Sequence, residues 1–284
     1  MRILLTGATG FLGSYVLKDL LKANYSVTVL KRSVSNTRRI QTILSLCDCY
    51  DLDRLPLEEI VCSAKPDVVI HCATSYGRNE DLSAVVSTNL VFAVNLLESA
   101  IENGCGYFIN TDSFFCKQIP ERLETGKKLY MPEYTLSKNT FREWGQMRAN
   151  EGKITFINLR MEHIFGADDS KGKFVPWVEE MLEANVPSID LTSGTQMRDF
   201  VPVSKAAEVY CRVLNSISSY KGYCGFDVGT GEAISIREFV ENLKEKIGAD
   251  TELRFGAIPT KENEIMYSAA DSRSPFLVHR NGFF

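Results

Sequence analysis

The chain has 284 residues with a formal net charge of −4, 44% hydrophobic and 24% charged side chains, an ordinary globular profile with enough length for one large domain or two lobes. That balance gives no reason to expect nucleic acid as a partner. No apolar run reads as approaching the roughly 20 residues of a membrane span, and no signal-peptide pattern precedes the first strand, so a cytoplasmic protein with no membrane partner is expected.

Met1 to Ser14 reads MRILLTGATGFLGS. Arg2 to Thr6 predicts a buried parallel strand, and a helical pattern opens at Tyr15 with Val16, Leu17, Leu20 and Leu21 on one face. Between them Gly7, Gly10 and Gly13 form a G-x-x-G-x-x-G turn. Gly7 suits the tight turn, Gly10 a close approach to pyrophosphate, and Gly13 packing of helix on strand. Strand, glycine turn and helix in this order predict a dinucleotide site at a helix N-terminus. Ser26 to Leu30 predicts the second strand, followed by Lys31-Arg32-Ser33, with Arg38 and Arg39 close behind. A basic strand end there suits the 2′-phosphate of NADP, an acidic one the 2′-hydroxyl of NAD. NADPH is therefore the expected cofactor, with Arg32 as its main basic contact.

Strands and helices continue to alternate, the pattern of a parallel sheet. A helix is predicted over Asp53 to Ser63, a buried strand within Lys65 to Cys72, and a polar loop over Thr74 to Asp81. A long helix is predicted over Ser83 to Asn103, then a strand at Tyr107 to Asn110 that delivers Thr111, Asp112 and Ser113 to the ligand edge of the sheet. His71 reads as a satisfied core histidine. Tyr134-Thr-Leu-Ser-Lys138 opens the next helix, which puts Tyr134 and Lys138 on one face. A cationic Lys138 favours tyrosinate, so Tyr134 is expected to exchange a proton nearer neutral pH, with Thr111 holding the substrate oxygen in line. Further on, helices are predicted at Lys173 to Ala184, Val203 to Ser216 and Ser235 to Gly248, and strands at Ser188 to Leu191, Gln196 to Val201 and Phe226 to Val228. The Arg198 fork suits a diphosphate, or else a structural pair with Asp199. Eight cysteines, scattered apart from Cys47-x-Cys49, and three histidines fit small buried thiols better than disulfides or a zinc site.

On these motifs nearly the whole chain resembles an extended short-chain dehydrogenase/reductase of the NAD-dependent epimerase/dehydratase family. Thr111, Tyr134 and Lys138 match its triad, and Thr195-Gln-Met-Arg198-Asp-Phe-Val-Pro-Val its Arg-Asp block. Asn110-Thr-Asp-Ser-Phe-Phe115, Leu159-Arg-Met-Glu-His-Ile-Phe-Gly166, Lys173-Phe-Val-Pro176 and Phe255-Gly-Ala-Ile…Asn263-Glu-Ile-Met266 are similar to the CDP-abequose synthase type of 4-ketoreductase. The resemblance implies a Rossmann-type, doubly wound α/β sheet formed by residues 1–165 with about 202–228, and a smaller, discontinuous substrate lobe from 166–201 and 229–284. It implies catalysis by Thr111, Tyr134 and Lys138, and cofactor contacts from Gly7, Thr9, Gly10, Phe11, Leu12, Gly13, Arg32, Asp51, Leu52, Cys72, Ala73, Thr74, Asn89 and Lys138. Substrate contacts are implied for Tyr76, Asp112, Ser113, His163, Lys173, Phe174 and Arg198, and no metal is.

The implied reaction is NADPH-dependent reduction of the 4-keto group of a nucleotide-linked deoxyhexose, CDP-4-keto-3,6-dideoxyglucose or a dTDP-4-keto-6-deoxyhexose, for O-antigen sugars. The alternatives are a 4-epimerase and a non-catalytic NADP-binding regulator. Family dehydratases carry Asp-Glu after the threonine, whereas Ser113 stands here in place of the Glu. A homodimer through the Leu90 to Asn103 and Tyr134 to Arg148 helices is implied. Two departures stand out. His163 replaces a frequent Asn, and Ser272 to Phe284 lacks the usual Gly-Trp-x-Pro turn and final helix. The end therefore looks cut short or altered, and the substrate lobe is expected to be less covered.

Overall fold

The computed structural model describes residues 1–77, 81–119 and 129–279. Residues 78–80 of the polar loop and 280–284 of the terminal stretch, both named above, lie outside them. The first half builds β1 (Arg2–Thr6), α1 (Phe11–Lys22), β2 (Ser26–Lys31), β3 (Asp48–Asp51), α2 (Leu57–Ala64) and β4 (Val68–His71). There follow α3 (Leu82–Val86), a π-turn (Ser87–Val91), α4 (Phe92–Glu102), β5 (Tyr107–Ser113), α5 (Pro132–Asn150), β6 (Thr155–Met161) and β7 (His163–Phe165). The remainder is α6 (Phe174–Glu183), β8 (Ser188–Leu191), β9 (Met197–Arg198), β10 (Phe200–Pro202), α7 (Val203–Asn215), β11 (Tyr223–Val228), β12 (Ile234–Ser235), α8 (Ile236–Ile247), β13 (Glu252–Phe255) and β14 (Tyr267–Ser268).

Seven strands form one parallel sheet in the order β3-β2-β1-β4-β5-β6-β11. This is the Rossmann-type α/β architecture the sequence predicts. The order reverses between β1 and β4, which opens a crevice at the carboxyl edge. Alternate side chains serve opposite faces. Ile3, Leu5, Val29 and Ile70 pack toward α1 and α7, while Leu4, Val69, Phe108 and Phe156 pack toward α2, α4 and α5. A third core joins Val175, Val178 and Leu182 of α6 to Phe239, Val240 and Leu243 of α8. The small sheets β7–β10, β12–β9–β14 and β8–β13 surround it.

Several elements differ from expectation. Helix α2 starts at Leu57 rather than Asp53, because Pro56 occupies the N-cap and helices open readily behind proline. The single long helix is divided by the π-turn, which turns Asn89 inward to Ser75 and Ser137. The run Leu82–Glu102 is long and apolar enough to cross a membrane by length and composition, contrary to the reading above; its Ala93, Leu96, Leu97 and Ala100 pack into the second core. All eight cysteines are free, but only Cys105 and Cys116 are buried, while Cys49 and Cys62 are exposed. His71 is buried with Nδ1 2.8 Å from the Thr6 hydroxyl, yet among the described residues its Nε2 has no partner, so there it is only half satisfied. The tail after Asp271 packs on the large sheet rather than on the small lobe's core. Phe276 and Val278 enter the first core, Arg212 donates to the Leu277 and Pro275 carbonyls, and Ser274 donates to the Asp227 carbonyl.

A polar joint fixes the small lobe to the sheet edge. Lys117, just after β5, bonds Glu162 and the Ala269 carbonyl and lies 3.0 Å from Asp227 of β11. Glu162 also accepts from Ser268 at 2.6 Å, and Asp199 accepts from Thr230, Gly231 and Ala270. Burial pushes the Glu162 carboxyl up, against the opposing pull of Lys117. Removing one partner of such a buried cluster leaves charge unpaired. Lys117→Met is therefore expected to cost about 3 kcal/mol at neutral pH. A carboxyl whose folded pKa is raised binds its proton more readily in the folded state, so the deficit should shrink as pH falls. Urea melts at several pH values check this, and a pH-independent or negligible loss would contradict it.

Candidate active site

The cleft begins where β1 ends. Gly7 holds φ +72°, and a Cβ there would stand 2.5 Å from the Ala73 nitrogen; one on Gly13 would stand 2.2 Å from the Gly7 oxygen. The turn thus accepts only glycine where β1, β4 and α1 converge. Gly10 caps α1, and among the described residues no side chain caps the helix, which leaves first-turn N–H groups for an anion. Glycine cradle and uncapped helix end together fit a dinucleotide pyrophosphate.

From this turn a cleft of about 1070 Å³ runs along the carboxyl edge of the sheet. Thr9, Gly10, Phe11, Leu12, Gly13, Arg32, Leu52, Cys72, Ala73 and Thr74 line one end, and Tyr76, Ser113, Tyr134, Lys138, His163, Lys173 and Phe174 the other. Arg39 also lines it and donates to the Thr9 carbonyl at 3.2 Å, so it braces the glycine turn. The sequence marked Arg39 only as one of two basic residues near Arg32. Arg39 also donates to the Asp168 carbonyl at 3.0 and 2.7 Å, while its neighbour Arg38 meets the Asp168 carboxylate at 3.4 Å.

Three expected contacts sit off the cleft wall. Asp51 is off the cleft wall, bonded to Ser33, Lys31 and the Asp53 nitrogen. Asn89 is wholly engaged with Thr74, Ser75 and Ser137, so it staples the loop after β4 to α5 instead of facing a ligand. Arg198 is 5% exposed and behind the wall, its fork on Glu264 at 2.7 Å rather than on Asp199. Asp112 reaches the cleft lining but is only 2% exposed, and its carboxylate accepts from Asn158, Cys116 and the Ser113 nitrogen. It organises the strand end from beneath.

The triad positions converge from β5 and α5. Pro132 starts α5 at a position that suits proline, and Tyr134 and Lys138 lie one turn apart, both nearly buried. The Tyr134 ring stacks on Tyr76 at 4.9 Å and meets the edge of Phe115. Burial, reinforced by Tyr76 and Cys116, pushes its phenol well above the usual range, with Ser113 hydrogen bonding opposing. The expected ease of tyrosinate formation is thus reversed in the free enzyme, because desolvation outweighs any nearby cation. Lys138 is lowered by burial and held up partly by Asp112; its Nζ donates to the Thr111 carbonyl at 2.8 Å. The Thr111 hydroxyl faces Tyr210 and Cys72 rather than Tyr134. At the outer end His163 is pulled down to about 3 by burial, with Arg198 and Lys173 adding, so it stays neutral. Lys173 lies 2.8 Å from Asp169 and over the Phe11 and Tyr76 rings.

The NAD dependent epimerase/dehydratase family matches residues 3–229. The chain belongs to that family. CDP-abequose synthase of Salmonella typhimurium is 31% identical over 276 residues, covering 96% of this chain and 90% of that enzyme. UDP-glucose 4-epimerase of Caenorhabditis elegans is 25% identical, covering 90% and 86%. Among solved structures, UDP-glucose 4-epimerase of Thermotoga maritima with UDP-glucose superposes with a TM-score of 0.78 at 21% identity, over 95% and 90% of the two chains. The Thermus thermophilus UDP-glucose 4-epimerase complex with NAD gives 0.74 at 23% identity, over 95% and 90%. These structures share its fold. The protein is accordingly an NAD(P)-dependent enzyme of the epimerase/dehydratase family. In such a site Gly13→Ala is expected to weaken dinucleotide binding at least about tenfold, the scale of a 1.4 kcal/mol loss. Nucleotide fluorescence titration checks it, and unchanged affinity would contradict the cradle.

Proposed function

We propose that this enzyme reduces the 4-keto group of a nucleotide-linked deoxyhexose with NADPH, with CDP-4-keto-3,6-dideoxyglucose as the favoured substrate and a dTDP-4-keto-6-deoxyhexose as the neighbouring choice. The observation that carries the reading is a buried tyrosine kept protonated on the cleft wall, a turn away from a buried lysine. The CDP-abequose synthases, aligned over 96% and 95% of this chain, support the CDP-linked sugar and an O-antigen role. Arg32 and Arg39 on the cofactor end of the cleft support a 2′-phosphate, hence NADPH over NADH. Bound there, NADPH supplies a hydride to a carbonyl carbon.

The chain supplies the proton and the charge stabilisation. Tyr134 gives its phenolic proton to the oxygen of the carbonyl being reduced, which becomes the C4 hydroxyl. Lys138 stabilises the tyrosinate left behind, a charge that has no other cation as close along α5. Thr111 donates to the developing oxyanion, where a positioned hydrogen bond contributes most. Ser113 beside Tyr134 removes the acid–base pair that elimination of water requires, which favours reduction over dehydration. Lys173 and neutral His163 face the outer end, where the nucleotide enters. Arg198 reaches a diphosphate only by exchanging Glu264 for it. Exposed Val91, Leu136, Trp144 and Met147 on the π-turn and α5 suit a homodimer, and the setting that fits NADPH chemistry is the cytoplasm.

Tyr134→Phe is expected to lower kcat at least about a hundredfold while the substrate Kd holds; near-normal turnover would remove Tyr134 from the mechanism. Because burial raises the phenol and lowers the ammonium, the alkaline loss of activity is expected to follow Lys138, below the usual lysine value of about 10.4. A pH profile of kcat measures it, and a limb close to neutrality would contradict the assignment.

A further inference from the structure

The first core holds a hydroxyl that packing does not require. Helix α7 presents Val203, Ala206, Ala207, Val209, Val213 and Leu214 to that core, and Tyr210 lies among them with no exposed surface. A phenol there must find a hydrogen-bond partner. It finds two at the carboxyl edge of the sheet: its Oη is 2.6 Å from Thr111 Oγ1, and 3.8 Å from Cys72 Sγ. Thr111 Oγ1 in turn lies 3.3 Å from Cys72 Sγ. Three groups with one hydrogen each therefore close a ring.

The direction of the ring follows from counting hydrogens. Thr111 donates to Cys72, and Cys72 donates to Tyr210. The remaining short link is then made by the Tyr210 hydrogen, which donates to Thr111 Oγ1. This agrees with chemistry, since a phenol is a stronger acid than an aliphatic alcohol and is the better donor between the two. Sulfur is a weak acceptor. The Thr111 hydrogen is thus parked on a partner that it can leave at little cost for a carbonyl oxygen.

We infer that Tyr210 is a positioning residue that presets Thr111 as a hydrogen-bond donor to the substrate oxygen. The inference rests on the reading of Thr111 given under the proposed function. Thr111 is held at both ends, its carbonyl by Lys138 at 2.8 Å and its hydroxyl by Tyr210. Tyr210 occupies one of the two lone pairs of the hydroxyl, and its hydrogen, resting on a weak acceptor, is the part readiest to exchange. Donation from Tyr210 also polarises the Thr111 O–H, since linked hydrogen bonds reinforce one another. Tyr210 touches no reacting atom and acts only through Thr111.

The test compares Tyr210→Phe, Thr111→Val and the double variant with the parent in 4-keto sugar reduction, alongside melting temperature and NADPH affinity. Tyr210→Phe is expected to lower kcat about tenfold, a fraction of a positioned group's usual effect, with KM, NADPH affinity and melting temperature near the parent's. On the Thr111→Val background it should cause no further loss. Tyr210→Leu provides the same readout should the phenylalanine variant not fold. Parent-like kcat in the Tyr210 variants, or an equal further loss on the Thr111→Val background, would overturn the inference and leave the role of Thr111 standing. Parent-like kcat in Thr111→Val would overturn that role and the inference with it.

Discussion

The contact on which the rest depends is the approach of Gly7 to Ala73. β1 and β4 lie side by side in register up to Thr6 and His71, and then their chains part to opposite faces of the sheet. No side chain fits between them at Gly7. That bare backbone lets α1 start directly behind the turn with its N–H groups open, and it sets the floor of the cleft. Every proposed contact, from Arg32 to His163, is placed relative to that floor by the parallel register of the neighbouring strands.

Above this floor, burial decides the protonation states. Tyr134 and Lys138 are both out of water, and desolvation favours the neutral form of each. For the phenol that means a reservoir of one proton; for the lysine it means dependence on Asp112, a buried carboxylate held by Asn158, Cys116 and the Ser113 nitrogen. The polar groups beneath β5 and those above it thus form one arrangement. The joint of Lys117, Glu162 and Asp227 carries it across to the small lobe.

Sheet, crevice and the general location of the site were legible because each rests on local pattern. The glycine turn is confined to seven residues, and a buried parallel strand such as Val68–His71 has an unmistakable apolar run. β3, DCYD, was not legible, since it is a polar edge strand, and β6 was hidden by Asn158 at its centre, a residue that the buried bonds to Asn110 and Asp112 require. The π-turn exists to aim Asn89, a tertiary demand that helical periodicity does not record. The orientation of Thr111 toward Tyr210, and of Arg198 toward Glu264, depends on residues 99 and 66 positions away. A motif names the residue and leaves its side-chain partners to the fold. The resemblance to nucleotide-sugar reductases placed the chain in its family, while the protonation of Tyr134 came only with its burial.

The measurement that tests the central claim most directly is NADPH oxidation with CDP-4-keto-3,6-dideoxyglucose, run beside dTDP-4-keto-6-deoxyglucose. Fast oxidation with the CDP sugar, one hydroxyl formed per NADPH consumed, is the predicted result. Preference for the dTDP sugar would keep the chemistry and change the nucleotide. No oxidation with either, from enzyme that binds NADPH, would contradict the reductase account and leave an epimerase or a binding protein in its place.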